Sequence, residues 1–255
     1  MPLEIVTVPC LADNYAFLAH DPANGDTALV DAPEAAPILA ELTARGWRLS
    51  HVLLTHHHYD HVDGLAEILA RYPAQVIGAA ADAGRLPPLD RAVSPGDRFE
   101  IGGEPVEVME VSGHTVGHVA YHMPQSSAVF TGDSLMALGC GRLFEGDAGQ
   151  MWASLSRLAA LPGDTLVCSG HEYTQANGRF ARTIEPENAD LARRLDEIAA
   201  MRARGEPTVP SLLSLELATN PFLRAGETGV QHNLGMTGAD PAAVFAEIRA
   251  RKDKF

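Results

Sequence analysis

Cysteine is scarce and poorly placed for cross-linking. Only Cys10, Cys140 and Cys168 occur in 255 residues, an odd number at wide spacing with no Cys-x-x-Cys pair. That excludes a disulfide framework and a cysteine-based zinc knuckle, and it fits a reducing cytosol. Positive charge is also short, with 19 Lys plus Arg against 33 Asp plus Glu and a formal net charge of −14. Such a chain repels nucleic acid and anionic membrane at long range, which argues against a nuclease or RNA-binding role. No apolar run approaches the length of a membrane span. The start, Met1-Pro-Leu-Glu-Ile-Val, lacks the basic residues and apolar core of a signal peptide, so a cytoplasmic protein is expected. There is no Gly-x-Ser-x-Gly for a serine nucleophile, and Gly139-x-Gly141 fails the dinucleotide fingerprint because position 144 is Phe. What remains is a globular composition, 46% hydrophobic and 20% charged. The length suits one large domain, or a medium domain with an appendage.

Against that background one stretch stands out: Thr55-His56-His57-His58-Tyr59-Asp60-His61. It reads His-x-His-x-Asp-His, directly after the apolar run His51–Thr55. Imidazole and carboxylate together suit zinc, iron or manganese. The competing reading is a solvated, histidine-rich loop. Packing such groups beside a buried strand is costly unless a cation satisfies them.

The rest of the first half reads as strands that deliver more of the same chemistry. Leu3–Pro9, Tyr15–Ala19 and Thr27–Asp31 are strand-like, with turn residues Asn14 and Asn24-Gly25 between them. Glu34–Arg45 has helical spacing and stops at Gly46, and Leu65, Ile68 and Leu69 mark a second helix. Val106–Val111 alternates and leads to Ser112-Gly113-His114. Val119–Met123 and Ser127–Thr131 are strands, the latter ending in Gly132-Asp133. A glycine-rich loop, Gly139–Gly146, precedes an amphipathic helix at Gln150–Leu161. Thr165–Ser169 then leads to Gly170-His171. Four strand ends therefore carry ligand-type side chains: His56/His58/Asp60/His61, His114, Asp133 and His171. Rigid strands with exposed loops are where sites are built, so one convergent site is expected.

After about residue 175 helix takes over. Asn188–Arg204 places Leu191, Leu195 and Ile198 on one face, with Arg193, Arg194 and Glu197 elsewhere. Gly205–Pro210 breaks the pattern, and Ser211–Ala218 reads as a short apolar helix. A loop rich in glycine follows, and then a final helix opened by Asp240 and Pro241. Phe245, Arg249 and Lys252 share a stripe on that helix. The expected division is 1–174 and 175–255.

Five histidines and two aspartates are the right stock for two metal ions sharing a carboxylate. With Asp13-Asn-Tyr, Thr55–His61, Ser112–His118, Phe130-Thr-Gly-Asp133, Gly139–Gly146, Gly170-His-Glu-Tyr-Thr174, Gly205–Pro210, Asn220-Pro-Phe222 and Arg249–Phe255, the chain resembles the metallo-β-lactamase superfamily. Within it, the resemblance is to the glyoxalase II (hydroxyacylglutathione hydrolase) family. It implies an α/β (α+β) protein, a four-layer αβ/βα sandwich at 1–174, and a C-terminal helical glutathione-binding domain at 175–255. It implies that His56, His58 and His114 hold one divalent ion and Asp60, His61 and His171 the other, with Asp133 between them. Zn2+ is the expected ion, with Fe or Mn also accepted by such ligands. A bound hydroxide would cleave S-D-lactoylglutathione to glutathione and D-lactate, the second step of methylglyoxal detoxification. Asp60 and Asp133 are then the catalytic carboxylates. Glutathione would meet Arg142, Phe144, Tyr173, Arg249 and Lys252. Arg142 stands where lysine is common in the family and Phe144 where tyrosine is common, which bears on KM more than on reaction type. A monomer binding neither nucleic acid nor membrane is implied. The alternative is a persulfide dioxygenase-like member with one iron and only the three-ligand set.

Other residues are expected to be structural. His57 should point away from the ligands, and His118 should support them. His20, His51, His122 and His232 read as surface or strand residues, and Cys168 as core packing rather than as a nucleophile.

Overall fold

The computed structural model describes residues 2–255. They form two compact units, 2–110 with Val116–Gly132, and Val111–Thr115 with Asp133–Phe255.

The first unit runs β1 (Glu4–Cys10), β2 (Asn14–His20), β3 (Thr27–Val30), α1 (Ala35–Arg45), β4 (His51–Leu54), α2 (Tyr59–Val62), α3 (Leu65–Arg71), β5 (Gln75–Ala79), β6 (Arg91–Val93), β7 (Arg98–Ile101), β8 (Glu104–Glu110), β9 (Val119–Met123) and β10 (Ala128–Gly132). Strands β1 to β6 form one sheet in sequence order. The first three pair antiparallel, and β3 to β6 pair parallel. The change of sense follows from the connections. Tight turns join the early strands, whereas α1 and α3 are the crossovers that parallel pairing requires. Ile38 and Leu42 of α1 and Leu65 and Ile68 of α3 pack on Leu29, Val52, Leu54 and Val76 of the sheet. Burying each such side chain contributes about 1.5–3 kcal/mol.

Strands β7 to β10 form an antiparallel meander. It faces the first sheet: Phe17 on β2 meets Phe130 on β10 edge-on at 5.6 Å. The Tyr121 hydroxyl donates to the Leu54 carbonyl at 2.9 Å. Because β3 and β4 run parallel, their carboxyl ends open side by side. Those two ends carry Asp31 and Thr55. Crevices at such strand ends are the usual place for ligands in parallel sheets.

The second unit runs β11 (Leu135–Met136), β12 (Gly139–Cys140), α4 (Ala148–Ala159), β13 (Leu166–Ser169), α5 (Thr174–Ile184), α6 (Ala189–Ala203), β14 (Ser211–Leu212), α7 (Leu213–Thr219), α8 (Thr228–Leu234) and α9 (Pro241–Lys254). Phe222 is its aromatic hub, 6.0 Å from Phe180 and 5.8 Å from Phe245 between ring centroids. Helix α4 begins earlier than its apolar spacing indicates, because Asp147 and Gln150 close a capping box.

Three sequence expectations are corrected in this unit. Ser211 and Leu212 are not helical; they pair with Val167 and Leu166 as β14, so strand does not cease at 175. Helix α5 was not expected, since Thr174-Gln-Ala-Asn-Gly-Arg is a weak helix former. Its burial of Asn177, Gly178, Phe180, Ala181 and Ile184 overrides propensity. Arg194, off the apolar stripe of α6, is buried, 5% exposed, against Glu216. The glycine-rich stretch before α9 also contains helix α8. Among the described residues, no helix is long and apolar enough to cross a membrane.

Candidate metal centre

In the first unit the ligand loop hangs on Asp31. This buried carboxylate accepts the Thr55 backbone N–H at 2.8 Å on Oδ1. Its Oδ2 accepts the Thr55 hydroxyl at 2.8 Å and faces His61 Nδ1 at 2.8 Å. These contacts fix protons as well as positions. The Thr55 hydroxyl gives its hydrogen to Asp31, so toward His56 Nδ1, 3.0 Å away, it acts as acceptor. His56 and His61 therefore both carry their proton on Nδ1 and present Nε2 as a lone-pair donor. His58 presents the other nitrogen: its Nδ1 lies 3.2 Å from His56 Nε2. Short helix α2 turns Asp60 and His61 toward the same region, with Asp60 Oδ2 4.0 Å from His61 Nε2. Asn14 holds Asp60 at two points, donating to its carbonyl at 2.9 Å and to Oδ2 at 3.2 Å.

The two histidines not expected to be ligands have other partners. His57 turns to the buried Asp82, Nδ1 to Oδ2 2.9 Å. His118 stacks on His56 with ring centroids 4.6 Å apart and planes 13° apart. Gly132 is needed beside them. Its φ is +48°, and a Cβ there would lie 2.5 Å from Thr55 Oγ1 and 2.8 Å from His118 Cε1.

The second unit brings together His114, Asp133 and His171. One carboxylate oxygen, Asp133 Oδ2, lies 3.4 Å from His114 Nε2 and 3.3 Å from His171 Nε2. His114 Nδ1 sits 2.7 Å from the Arg142 carbonyl, which can only accept. Its proton is therefore on Nδ1 and its Nε2 lone pair faces Asp133. A carboxylate oxygen facing such a nitrogen is the donor chemistry of a cation site, and Nδ1 bonded to a carboxylate, hydroxyl or carbonyl is the usual outer support of metal-bound histidine. Both donor sets fit a divalent ion.

All five residues expected at glutathione lie in this unit. Tyr173 stacks on His171 at 4.7 Å and 6°. Phe144 is 61% exposed and meets His114 edge-on at 5.2 Å. Arg142 is exposed, with Nε 3.7 Å from Asp253 Oδ1. Arg249 differs from expectation: it is buried and donates to the Cys140 carbonyl at 3.1 Å and to Asp253 at 2.9 Å. Lys252 is half-buried over Phe180 and Phe255. Burial, with Arg249 and Arg179 adding to it, holds its ammonium pKa below the ordinary lysine value. Burial pushes the Cys140 thiol up to about 11 and Cys168 higher still, so neither is a thiolate nucleophile at neutral pH.

Asp31 and Asp82 carry no role in the sequence reading, and Asn14 and Thr55 have only a place in a motif there. Asp31 offered one signal, a carboxylate closing an apolar strand.

Residues 14–171 match the family model of the metallo-beta-lactamase superfamily, and residues 172–255 match that of the hydroxyacylglutathione hydrolase C-terminus. Among solved structures, BLEG-1 B3 metallo-beta-lactamase superposes with a TM-score of 0.67 at 20% identity, covering 86% of this chain and 99% of that one. TTHA1623, solved in a di-iron-bound form, gives 0.63 at 26% identity over 86% of this chain and all of that one. The fold is thus that superfamily's α/β sandwich with a C-terminal helical domain. A hydroxyacylglutathione hydrolase of Ruegeria pomeroyi is 72% identical over the full length of both chains. The chain belongs to the hydroxyacylglutathione hydrolase family.

Proposed function

We propose that the chain hydrolyses S-D-lactoylglutathione and related S-(2-hydroxyacyl)glutathione thioesters to glutathione and the 2-hydroxy acid, using two divalent metal ions. The observation that carries this reading is full-length likeness to hydroxyacylglutathione hydrolases, the C-terminal model included. That C-terminal match favours it over a dioxygenase with a single iron. His56, His58 and His114 would hold one ion, and Asp60, His61 and His171 the other, with Asp133 shared. When bound, such a pair supplies Lewis acidity to the acyl oxygen and brings the pKa of a water toward about 7. Zinc is the first choice for these donors, and iron or manganese also suit them.

The chain's own residues have distinct tasks. Asp31, Thr55 and the Arg142 carbonyl keep protons on Nδ1, so that His61, His56 and His114 offer Nε2. Asn14 fixes Asp60, whose Oδ2 would accept a hydrogen bond from the attacking water. Water adds at the acyl carbon, the C–S bond breaks and the thiol departs. Residues 1–174 serve as the catalytic domain and 175–255 as the glutathione-binding domain. Arg142 and Lys252 supply cations for the peptide carboxylates, Tyr173 and Phe144 supply aromatic walls, and Arg249 holds the loop that carries Arg142. A monomeric cytoplasmic enzyme fits three buried thiols and the acidic balance.

Comparing S-D-lactoylglutathione with the lactoyl thioester of a non-glutathione thiol tests the substrate. Strong preference for the glutathione ester is expected, and equal rates would contradict it. Lys252→Met should raise KM for the glutathione ester about tenfold at little change in kcat, the signature of lost ground-state binding. An unchanged KM would remove Lys252 from the site.

A further inference from the structure

The turn between β11 and β12 is held in an unusual way. Leu135 pairs with Cys140 and Met136 with Gly139, leaving Ala137 and Leu138 at the tip. Leu135 to Cys140 are all buried, so their backbone groups must find partners inside the protein. Leu138 adopts a φ of +55°, a conformation that a leucine keeps only when its surroundings enforce it. The enforcing partners are side chains from the helices. Glu216 Oε2 accepts the Leu138 N–H at 2.8 Å. Asn220 Nδ2 donates to the carbonyls of Met136 at 3.1 Å and Gly139 at 3.0 Å, one on each arm. Asn177 Nδ2 donates to the Ala137 carbonyl at 3.1 Å.

Glu216 is itself fully buried and completely committed. Its Oε2 also accepts from Asn220 at 3.1 Å. Its Oε1 accepts from the Ser211 hydroxyl at 2.6 Å and from Arg194. Arg194 in turn donates to Thr219 at 2.6 Å. An ionised carboxylate surrounded by donors suits this position, and an uncharged residue would strand Arg194. The clamped turn begins two residues after Asp133 and ends two residues before Arg142. Below it the arms are closed by the Gly141 N–H donating to the Ser134 carbonyl at 3.0 Å. The Arg142 carbonyl, at the far end, is what holds His114 Nδ1.

We infer that Asn220 and Glu216 are positioning residues for the hydrolytic site: by gripping both arms of the 135–140 turn they set Asp133 at one end and the Arg142 carbonyl and side chain at the other. This role rests on Asp133 and His114 being metal ligands. The clamp then links metal affinity and glutathione affinity to one pair of side chains that touches neither ligand.

The test compares Asn220→Ala with Asn177→Ala and Asn233→Ala. Asn233 lies in the same helical region and likewise donates to a carbonyl, that of Ile184 at 3.0 Å, but does not touch the turn. Zinc affinity is measured by competition with a chromophoric chelator, KM with S-D-lactoylglutathione, and thermal midpoint on each purified protein. Asn220→Ala should lose about tenfold or more in zinc affinity, the scale of an outer support of a metal ligand, together with a higher KM. Asn177→Ala should move both in the same direction by less, and Asn233→Ala should move neither at a comparable loss of thermal midpoint. Zinc affinity and KM that track the midpoint alike in Asn220→Ala and Asn233→Ala would overturn the inference. If Asn220→Ala does not fold, a folded Asn177→Ala with wild-type zinc affinity overturns it instead. Wild-type protein that binds zinc yet leaves glutathione thioesters intact would defeat the functional reading alone, because the zinc affinities still test the clamp.

Discussion

Asp133→Asn should lower kcat/KM for S-D-lactoylglutathione about a thousandfold and reduce the metal bound per chain. The reason is the position of one oxygen. Asp133 Oδ2 faces His114 Nε2 and His171 Nε2 at nearly equal distance, so in the proposed two-ion reading its one negative charge is the shared one. Asparagine keeps the shape but removes that charge, and it brings an amide N–H that no cation tolerates beside it. Loss of charge stabilisation at a reacting centre is the largest single effect most enzymes show. A thousandfold corresponds to about 4 kcal/mol of transition-state stabilisation. Steady-state kinetics and elemental analysis of the same preparation read both quantities. A variant with full metal content and wild-type rate would remove Asp133 from the centre.

The second large effect is expected at Asp31, which touches no substrate. Its carboxylate accepts the Thr55 N–H, the Thr55 hydroxyl and the His61 ring. All three donors are buried. Asp31→Ala leaves them without an acceptor and should cost about 3–5 kcal/mol of folding stability. Asp31→Asn separates charge from geometry. Position 31 has a φ of +57°, which asparagine tolerates well, and one carbonyl oxygen remains. This variant should fold, yet bind metal about 10–100-fold more weakly, because His61 loses the acceptor that fixes its tautomer. Denaturant midpoints for both variants and zinc affinity for Asp31→Asn check this. Wild-type stability in Asp31→Ala would show that Asp31 is not the anchor of the ligand loop.

The proposed ligands stand out in the sequence because their spacing is local. His56, His58, Asp60 and His61 lie within six residues, and His114, Asp133 and His171 each follow a glycine at the end of an apolar strand. What supports them was not readable, because every support is a contact between distant residues. Asp31 meets His61 across 30 residues and Asn14 meets Asp60 across 46. In sequence each is one polar residue beside a turn. Glu216 shows the same limit more sharply. Within the short helix Leu213–Thr219 no sequence signal marks it, but Arg194 and the Leu138 N–H make it a buried acceptor. The stripe of Phe245, Arg249 and Lys252 was also visible from helical spacing. Its meaning changed in the structure, since Arg249 is buried and grips the Cys140 carbonyl while Lys252 is half-buried. Helix α5 escaped notice because small and polar residues, not leucines, form its buried face.

The proposed activity is metal-dependent thioester hydrolysis on donors from His56 to His171. It is tested most directly by following the thioester absorbance of S-D-lactoylglutathione with purified protein, before and after a strong chelator, and after zinc is returned. Rapid hydrolysis, its loss on chelation, and recovery with about two zinc ions per chain are expected. Hydrolysis that persists after the metal is removed, or none at all by zinc-replete protein, would contradict it.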